Sequence, residues 1–459
     1  MVSIGFVYFC SVIKNNYELQ NDGTMKNILS KRTFIVLPLF LFSLHPLWGQ
    51  KSNFKNDICI PGKLYMLSDI RNDVFVEALI KRWRPYNDFV RFSGDCVYSR
   101  KLNRVASVDT PVDGSNMKIE LVNSDEFEII KAISICVGKK GIGTQEVTVQ
   151  ILGDSFVNGA FFRDALLSKN YIPGIKLVGL RNIKNEEGQY DEGRGGWTVK
   201  KYFEIPKGEM TSYHGYMQPV GEYRYWGSCE FWKNCYKVIN GELTDTEIVY
   251  NCGRYDQCIT KFDKETGYLA APKKNDLMYD NARGSYMVYT GKKWKNVEVD
   301  ERKWAFNYRK YLDMWNLDAP KFFAQMLGLN DYRDSLTADY REWNKKIAEM
   351  KESYYKAVPD GKFIILIPCT TCGSLNNIRG DFTLRQNASM WQLRKNIIDT
   401  FDGRESEGYY VVDIGITIDN EKGYNRNRDG IQTGNPHPYP NYPTMGIPLA
   451  AFIQYYREL

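Results

Sequence analysis

The sequence predicts an α/β domain preceded by a small all-β domain. After about residue 147, apolar strand-like runs alternate with segments of helical periodicity, whereas only short alternating runs occur between residues 57 and 145. Strands that alternate with helices are typical of a parallel sheet covered by helices on both faces. A chain of 459 residues is also long enough for two folded units.

The predicted α/β domain spans residues 147–459. Its first strand is the apolar run Val147–Leu152, and a helix follows the tight turn Gly153–Ser155. The other predicted strands are Ile175–Leu180, Phe322–Leu327, Phe363–Ile367 and Tyr410–Ile416, and the clearest helices are Leu336–Tyr354, Met390–Phe401 and Ile447–Tyr456.

The predicted all-β domain spans residues 57–145. Its apolar alternations are short and are broken by Asn, Asp and Gly, which is typical of the strands of a small β-sandwich. The predicted strands are Lys63–Met66, Val74–Leu79, Phe89–Phe92, Lys118–Val122 and Glu126–Ile135. No constellation of catalytic residue types stands out among them, so a structural or positioning role is favoured over direct glycan binding.

The first fifty residues have the pattern of an upstream extension and a signal peptide. A charged stretch that opens at Met25 precedes the apolar run Phe34–Leu44, and the small residue Gly49 follows. The run is shorter than the roughly 20 residues that span a bilayer. We therefore expect cleavage near residue 49, a secreted or periplasmic protein, and no stable membrane insertion.

A long segment at about residues 205–310 interrupts the α/β alternation, and we interpret it as a disulfide-stapled insertion near the rim of the active site. Disulfides persist in exported proteins, and six of the ten cysteines form close pairs in sequence. The expected pairs are Cys229 with Cys235, Cys252 with Cys258 and Cys369 with Cys372. A zinc site is the alternative for the first four, but their spacings are wider than in common zinc knuckles.

The net charge and its distribution argue against a nucleic-acid partner. The net charge of +6 is small and is not gathered into a basic stripe, so nucleic acid is not an expected partner. Aromatic residues reach 14% of the chain, which core packing can explain but which is also familiar in proteins that handle sugars.

Four short motifs carry residue types suited to acyl transfer. Ser155 follows a strand and begins a helix, where a nucleophile is lifted out of the sheet near the helix dipole. Asn330 follows another strand and can direct its amide at an oxyanion, and Gly196 can bring a backbone N–H close to a ligand. His45 lies in the predicted signal segment, so His214 and His437 are the two remaining candidates for a general base. His437 is the better of the two.

Together these motifs resemble the SGNH (GDSL-like) hydrolase family over residues 147–459. The matching segments are ILGDSF, EGRGGWT, GLND and NPHP. The resemblance implies a flavodoxin-like three-layer α/β/α sandwich, with Ser155 as nucleophile and His437 as base. It also implies an oxyanion hole made by the Ser155 N–H, Gly196 and Asn330, and ester hydrolysis through an acyl-enzyme without metal or organic cofactor. An exported β-sandwich before such a domain is similar to secreted members that deacylate polysaccharides.

The chain departs from the family pattern at one position. The family has Asp three residues before the His, where this chain has Gly434. We expect Asp429 to orient His437, although Asp419, a backbone carbonyl or a Ser-His dyad would also serve. The sequence thus predicts an esterase for O-acyl, probably acetyl, groups on carbohydrate or on another small ester substrate. A catalytically silent glycan-binding protein and a lipase-type esterase are the alternatives.

Overall fold

The computed structural model describes most of the chain beyond residue 56. The described residues are 57–81, 88–100, 104–123, 128–159, 163–167, 171–182, 190–208, 211–335, 337–369, 384–420, 423–424, 437–438 and 442–457. Within the chain, Asp57–Leu459 forms one compact unit. The predicted signal segment, Asp429, Gly434 and Cys372 lie outside the described residues.

The described residues before 139 fold into two sheets. The strands are β1 (Lys63–Leu67), β2 (Asn72–Phe75), β3 (Asp88–Gly94), β4 (Val97–Arg100), β5 (Val105–Val108), β6 (Asn116–Asn123) and β7 (Glu128–Gly138). One sheet has the order β1-β7-β6-β3 and the other β2-β5-β4, and apolar residues of both share one core. The predicted strand Val74–Leu79 is wrong beyond Phe75, because Val76–Ala78 forms a 3-10 helix.

The central part opens with the strand that leads to Ser155. Its elements are β8 (Val147–Gly153), α1 (Ser155–Asn158), α2 (Arg163–Leu167), β9 (Ile175–Leu177) and β10 (Glu192–Gly193). All but one residue of β8 is buried, so this strand lies at the centre of a core rather than at a surface.

The segment predicted as an insertion contains its own sheets and helices. Its elements are β11 (Met217–Pro219), β12 (Arg224–Ser228), α3 (Cys229–Ile239), α4 (Thr246–Cys252), α5 (Asp256–Ile259), β13 (Asp276–Asp280), β14 (Ser285–Tyr289), β15 (Trp294–Val297) and β16 (Trp304–Phe306). Strands β12 to β15 pair in chain order, and β11 pairs with β16.

The remaining elements complete one parallel sheet in a mixed α/β architecture. They are α6 (Tyr308–Trp315), β17 (Phe322–Met326), α7 (Leu329–Tyr332), α8 (Arg341–Ala357), β18 (Lys362–Ile367), α9 (Leu384–Phe401), β19 (Tyr409–Asp413) and α10 (Gly446–Arg457). The sheet has the order β10-β8-β17-β18-β19, and β9 pairs with the other end of the β8 edge. With β9 and β10 sharing one edge of β8, the chain order across the sheet is 2-1-3-4-5.

The C-terminal helix α10 joins the parallel sheet to the N-terminal strands. The ring of Phe452 lies 4.8 Å from that of Tyr65 on β1, measured between centroids. Gln454 Nε2 donates hydrogen bonds to the carbonyls of Lys139 and Ile142 at 2.6 and 2.8 Å. A Cβ at Gly138 would lie 2.2 Å from the Ala451 carbonyl oxygen, so close packing requires glycine there.

The structure does not form the two disulfides predicted for the insertion, because Cys229, Cys235 and Cys252 are free thiols. Cys229 and Cys235 both lie on helix α3. Six residues of helix rise by about 9 Å, more than the Cα separation that a disulfide allows. Cys235 is instead hydrogen bonded to Cys252, and burial raises the pKa of its thiol. Among the described residues no cluster of three or more His, Cys, Asp or Glu could hold a metal ion, which leaves the zinc alternative unsupported there.

In the part of the chain that the structure describes, no helix combines the length and apolar content needed to cross a bilayer.

Candidate active site

Ser155 lies at the end of β8, where the chain turns directly into helix α1. Asp154 is the N-cap of this helix, and its Oδ1 accepts a hydrogen bond from the Phe156 N–H at 3.0 Å. A Cβ at Gly153 would lie 2.5 Å from Val157 and 2.8 Å from the Met326 carbonyl oxygen. The glycine therefore permits the tight strand-to-helix turn that presents the serine.

His437 is the side chain that contacts the Ser155 hydroxyl. Its Nε2 lies 2.9 Å from Ser155 Oγ, although the two residues are 282 positions apart. Burial lowers the pKa of His437 to about 4, so the ring is neutral at neutral pH. A neutral ring whose Nε2 accepts from the serine hydroxyl can act as a general base.

The positions at which the sequence predicts the third member of the triad are outside the described residues. Asp429 and Gly434 lie outside them. The alternative orienting residue, Asp419, is buried, and its Oδ1 lies 4.0 Å from Arg104 Nη2. Asp419 thus faces a cation of the N-terminal strands.

Gly196 lies in the loop that leaves β10, beside the Ser155 turn. Strand β10 pairs with the end of β8, so that Gly193 is opposite Gly153, and the Arg194 N–H donates to the Gly153 carbonyl at 2.9 Å. Gly196 itself is exposed and has a φ of +73°, a left-handed conformation that favours glycine. The structure therefore brings this loop to the same sheet edge as the nucleophile.

Asn330 connects the other two motifs. Its Nδ2 lies 3.1 Å from the Trp197 carbonyl oxygen and 3.4 Å from Asp154 Oδ2. The next residue, Asp331, accepts the Val199 N–H with both carboxylate oxygens, at 3.0 and 3.2 Å. The GLND turn thus fixes the loop that carries Gly196 against the residue before the nucleophile.

The carboxyl groups of the buried Asp154 and the half-buried Asp331 stand beside these contacts. Burial raises the pKa of Asp154 to about 7 and that of Asp331 to about 6. Both act as acceptors for backbone N–H groups, and these hydrogen bonds oppose the shifts by favouring the ionised form.

His214 is held in a structural role. It is buried, its Nδ1 accepts the Tyr216 N–H at 3.2 Å, and its Nε2 lies 2.9 Å from the Glu204 carbonyl oxygen. Burial lowers its pKa to about 3. Its ring packs edge-on against Trp197 at a centroid distance of 5.7 Å, so it supports the loop of Gly196 from behind.

Sequence reasoning missed a buried ion pair beneath this loop. Arg194 Nη1 lies 2.7 Å from Glu192 Oε2, and both side chains are at most 1% exposed. Glu192 Oε1 accepts hydrogen bonds from the Leu180 N–H at 2.7 Å and from the Tyr311 hydroxyl at 2.6 Å. Arg194 Nη2 donates to the Tyr213 carbonyl at 2.6 Å. The only signal in the sequence is the E-G-R spacing, which places both charges on one side of the strand end.

Residues on both sides of the segment that carries His437 make contacts in the structure. Those before it contact the N-terminal sheets, and one after it contacts a residue before it. Before it, Ile416 packs into the core that the two N-terminal sheets share, and Asp419 faces Arg104. After it, the Thr444 hydroxyl lies 3.4 Å from the Thr417 carbonyl oxygen. The N-terminal strands therefore support the flank of the base rather than that of the nucleophile.

Comparison with known proteins finds solved structures of low identity and low TM-score. No family model matches the chain, and no curated protein matches it. A carbohydrate esterase of family 3 from Talaromyces cellulolyticus is 11% identical with a TM-score of 0.30, covering 68% of this chain and 99% of that chain. A possible lipase from Chitinophaga pinensis is 11% identical with a TM-score of 0.26, covering 68% and 98%. A family two carbohydrate esterase from Cellvibrio japonicus is 9% identical with a TM-score of 0.24, covering 88% and 97%.

Proposed function

We propose that the chain is an exported serine esterase of the SGNH type, acting on O-acyl groups, chiefly acetyl, of carbohydrate. The observation that carries the proposal is the 2.9 Å separation of Ser155 Oγ and His437 Nε2. A serine that begins a helix at the end of a buried strand, with a neutral imidazole in hydrogen-bond reach, is the arrangement of an activated nucleophile. The parallel sheet of order 2-1-3-4-5 supports the flavodoxin-like α/β/α sandwich of that family.

In the proposed mechanism, Ser155 Oγ attacks the acyl carbon while His437 Nε2 takes the hydroxyl proton. The negative charge on the former carbonyl oxygen is stabilised by the N–H groups of Ser155 and Gly196 and by the Asn330 amide. His437 then gives its proton to the leaving alkoxide, which departs as an alcohol and leaves an acyl-serine. Water, deprotonated by the same imidazole, releases the carboxylic acid and restores the serine.

The mechanism requires a group that orients His437 through its second ring nitrogen. We propose Asp429 as the acid that contacts the second ring nitrogen, because it precedes His437 on the same segment. In a serine triad this acid orients the imidazole and stabilises its cation without accepting the proton. Without it, the pair would work as a slower dyad.

Hydrolysis of p-nitrophenyl acetate by the wild-type chain and by Ser155→Ala tests the esterase function. We expect the variant to lose nearly all turnover, because the nucleophile is gone. Ser285→Ala is a matched control, since Ser285 lies on β14 of the insertion and bonds only to Asn296 in the described contacts, at 3.1 Å. Equal rates for wild type and Ser155→Ala would overturn the proposal.

A further inference from the structure

A cavity of about 350 Å³ lies next to the proposed oxyanion hole. Val199 and Asp331 both line it, and they are the two residues joined by the carboxylate-to-N–H hydrogen bonds at 3.0 and 3.2 Å. Asp331 directly follows Asn330, whose amide reaches the Trp197 carbonyl on the same loop. The cavity therefore shares a wall with the segments that would bind the oxyanion.

The lining of this cavity mixes charged and aromatic side chains. It includes Lys200, Phe203, Glu204, Tyr332, Glu342 and Lys346. Carboxylates accept hydrogen bonds from hydroxyl groups, ammonium groups donate to them, and aromatic faces pack against C–H surfaces. The lining thus matches a polyhydroxylated ring better than a fatty acyl chain, which would strip water from charged groups without replacing their hydrogen bonds.

Two of the charged groups hold each other in place. Glu342 Oε1 lies 3.2 Å from Lys346 Nζ, one turn apart on helix α8, and Lys346 Nζ lies 4.2 Å from the centre of the Phe203 ring. Acidic and basic groups are interspersed around the cavity, so no single-sign field favours a phosphate or another anion. A neutral ligand is the better fit.

We propose that this cavity binds one pyranose unit of the acylated carbohydrate, next to the unit whose ester is cleaved. Its volume lies near the lower end of the range for small-molecule sites, which limits the occupant to about one sugar residue. The proposal rests on the proposed esterase function, since it names where that substrate is held.

Glu342→Gln and Lys346→Met test this assignment with two kinds of substrate. The readout is kcat/KM for O-acetylated xylo-, manno- and chito-oligosaccharides divided by kcat/KM for p-nitrophenyl acetate. We expect the ratio for the best oligosaccharide to fall about tenfold, mainly through KM, since a charged hydrogen-bond partner of the sugar is lost. An unchanged ratio in both variants would overturn the assignment.

Direct binding separates the cavity from the esterase function. Calorimetric titration of the Ser155→Ala chain with the deacetylated oligosaccharides should give a dissociation constant that rises about tenfold when Glu342→Gln is added. If these sugars bind through Glu342 but no ester is cleaved, the sugar-binding assignment of the cavity is retained and the proposed esterase function is refuted. If p-nitrophenyl acetate is cleaved but no oligosaccharide is bound or deacylated, the cavity assignment fails alone.

Glu349→Gln is the matched control on the same helix. Glu349 Oε1 lies 3.9 Å from Lys345 Nζ in a more exposed pair with the same spacing of four residues, and neither residue lines the cavity. This variant should leave both the ratio and the sugar affinity as in wild type. A loss as large as that of Glu342→Gln would attribute the effect to the helix rather than to the cavity.

Discussion

The nucleophile and the base of the candidate site are held in two different ways. Ser155 follows β8, an inner strand that pairs with β10 on one side and β17 on the other. His437 lies outside the sheet, on a segment whose preceding flank is anchored by Ile416 and Asp419 to the N-terminal strands. The position of the serine is thus fixed by local structure, whereas that of the imidazole depends on packing between distant parts of the chain.

Because the two residues are held differently, a substitution can affect either the reactivity of Ser155 or the alignment of the His437 imidazole with it. A change near Ser155 acts on the chemistry or on the core of the sheet. A change in the N-terminal strands can leave the sheet intact and still displace the base.

Removing both members of the pair measures whether they act as one unit. We expect Ser155→Ala and His437→Ala each to lower kcat for p-nitrophenyl acetate by at least about 10⁴-fold, and the double variant to be no worse than the poorer single one. The reason is that the serine has no nucleophilic role without its base. Losses that multiply in the double variant would mean that the two residues act independently.

The Asn330 amide is expected to have the next largest effect. Asn330→Ala should lower kcat for p-nitrophenyl acetate by roughly 10²- to 10³-fold, the usual result of losing one oxyanion donor. Asn296→Ala on β15 is a matched control, because its amide bonds only to Ser285 among the contacts described for it. An effect confined to KM would contradict the assigned role.

Arg104 tests the support of the base by the N-terminal strands. Arg104→Met removes a cation that faces the buried carboxylates of Glu77 and Asp419, and we expect kcat for p-nitrophenyl acetate to fall about tenfold as the flank of His437 shifts. Arg104→Lys should recover part of the rate. The measurement pairs steady-state kinetics with urea unfolding, so that a loss of folded protein is not counted as a loss of turnover.

Arg100→Met is the control for that variant. Arg100 lies on β4 of the same sheets, and its Nη2 is 3.4 Å from the exposed carboxylate of Asp109. Surface pairs of this kind contribute little to stability, so kinetics should match wild type. If Arg104→Met retains the full kcat while unfolding more easily, the N-terminal strands stabilise the fold without aligning the base.

The acid limit of activity reports the environment of His437. The base must be neutral, and burial lowers its pKa to about 4, so kcat/KM should fall only as the pH drops through about 4. At pH 5.5 the enzyme should therefore be roughly tenfold more active than one whose histidine titrates near 6.5. A pH profile of kcat/KM for p-nitrophenyl acetate measures this limit. A midpoint near 6.5 would mean that the contact proposed for Asp429 offsets the burial, because a carboxylate beside the ring favours its charged form. A midpoint near 4 would favour the Ser-His dyad.

Much of the sheet could be predicted because its signals are local. Continuous apolar runs mark β8, β17 and β18, and the turn after β8 identifies Ser155 without any knowledge of its partners. His437 was found differently, from the scarcity of histidine. The structure buries His214 and engages both of its ring nitrogens in hydrogen bonds.

The remaining features depend on contacts between residues far apart in sequence. The pair Glu192 and Arg194 is bonded to Tyr213 of the insertion and to Tyr311 of helix α6, which no local pattern connects to it. The predicted Cys229–Cys235 disulfide failed because two residues six positions apart on one helix are too far from each other for the bond. The exposed strand β4 carries no apolar alternation and was missed for that reason.

The contact between β1 and α10 has a consequence for how this protein acquires its native state. Tyr65 and Phe452 stand near opposite ends of the chain, and their rings meet. During synthesis the early strands must wait, with apolar surface uncovered, until the last helix has emerged from the ribosome. Closing so large a loop also slows the final step, so refolding should be slow and sensitive to aggregation at high concentration.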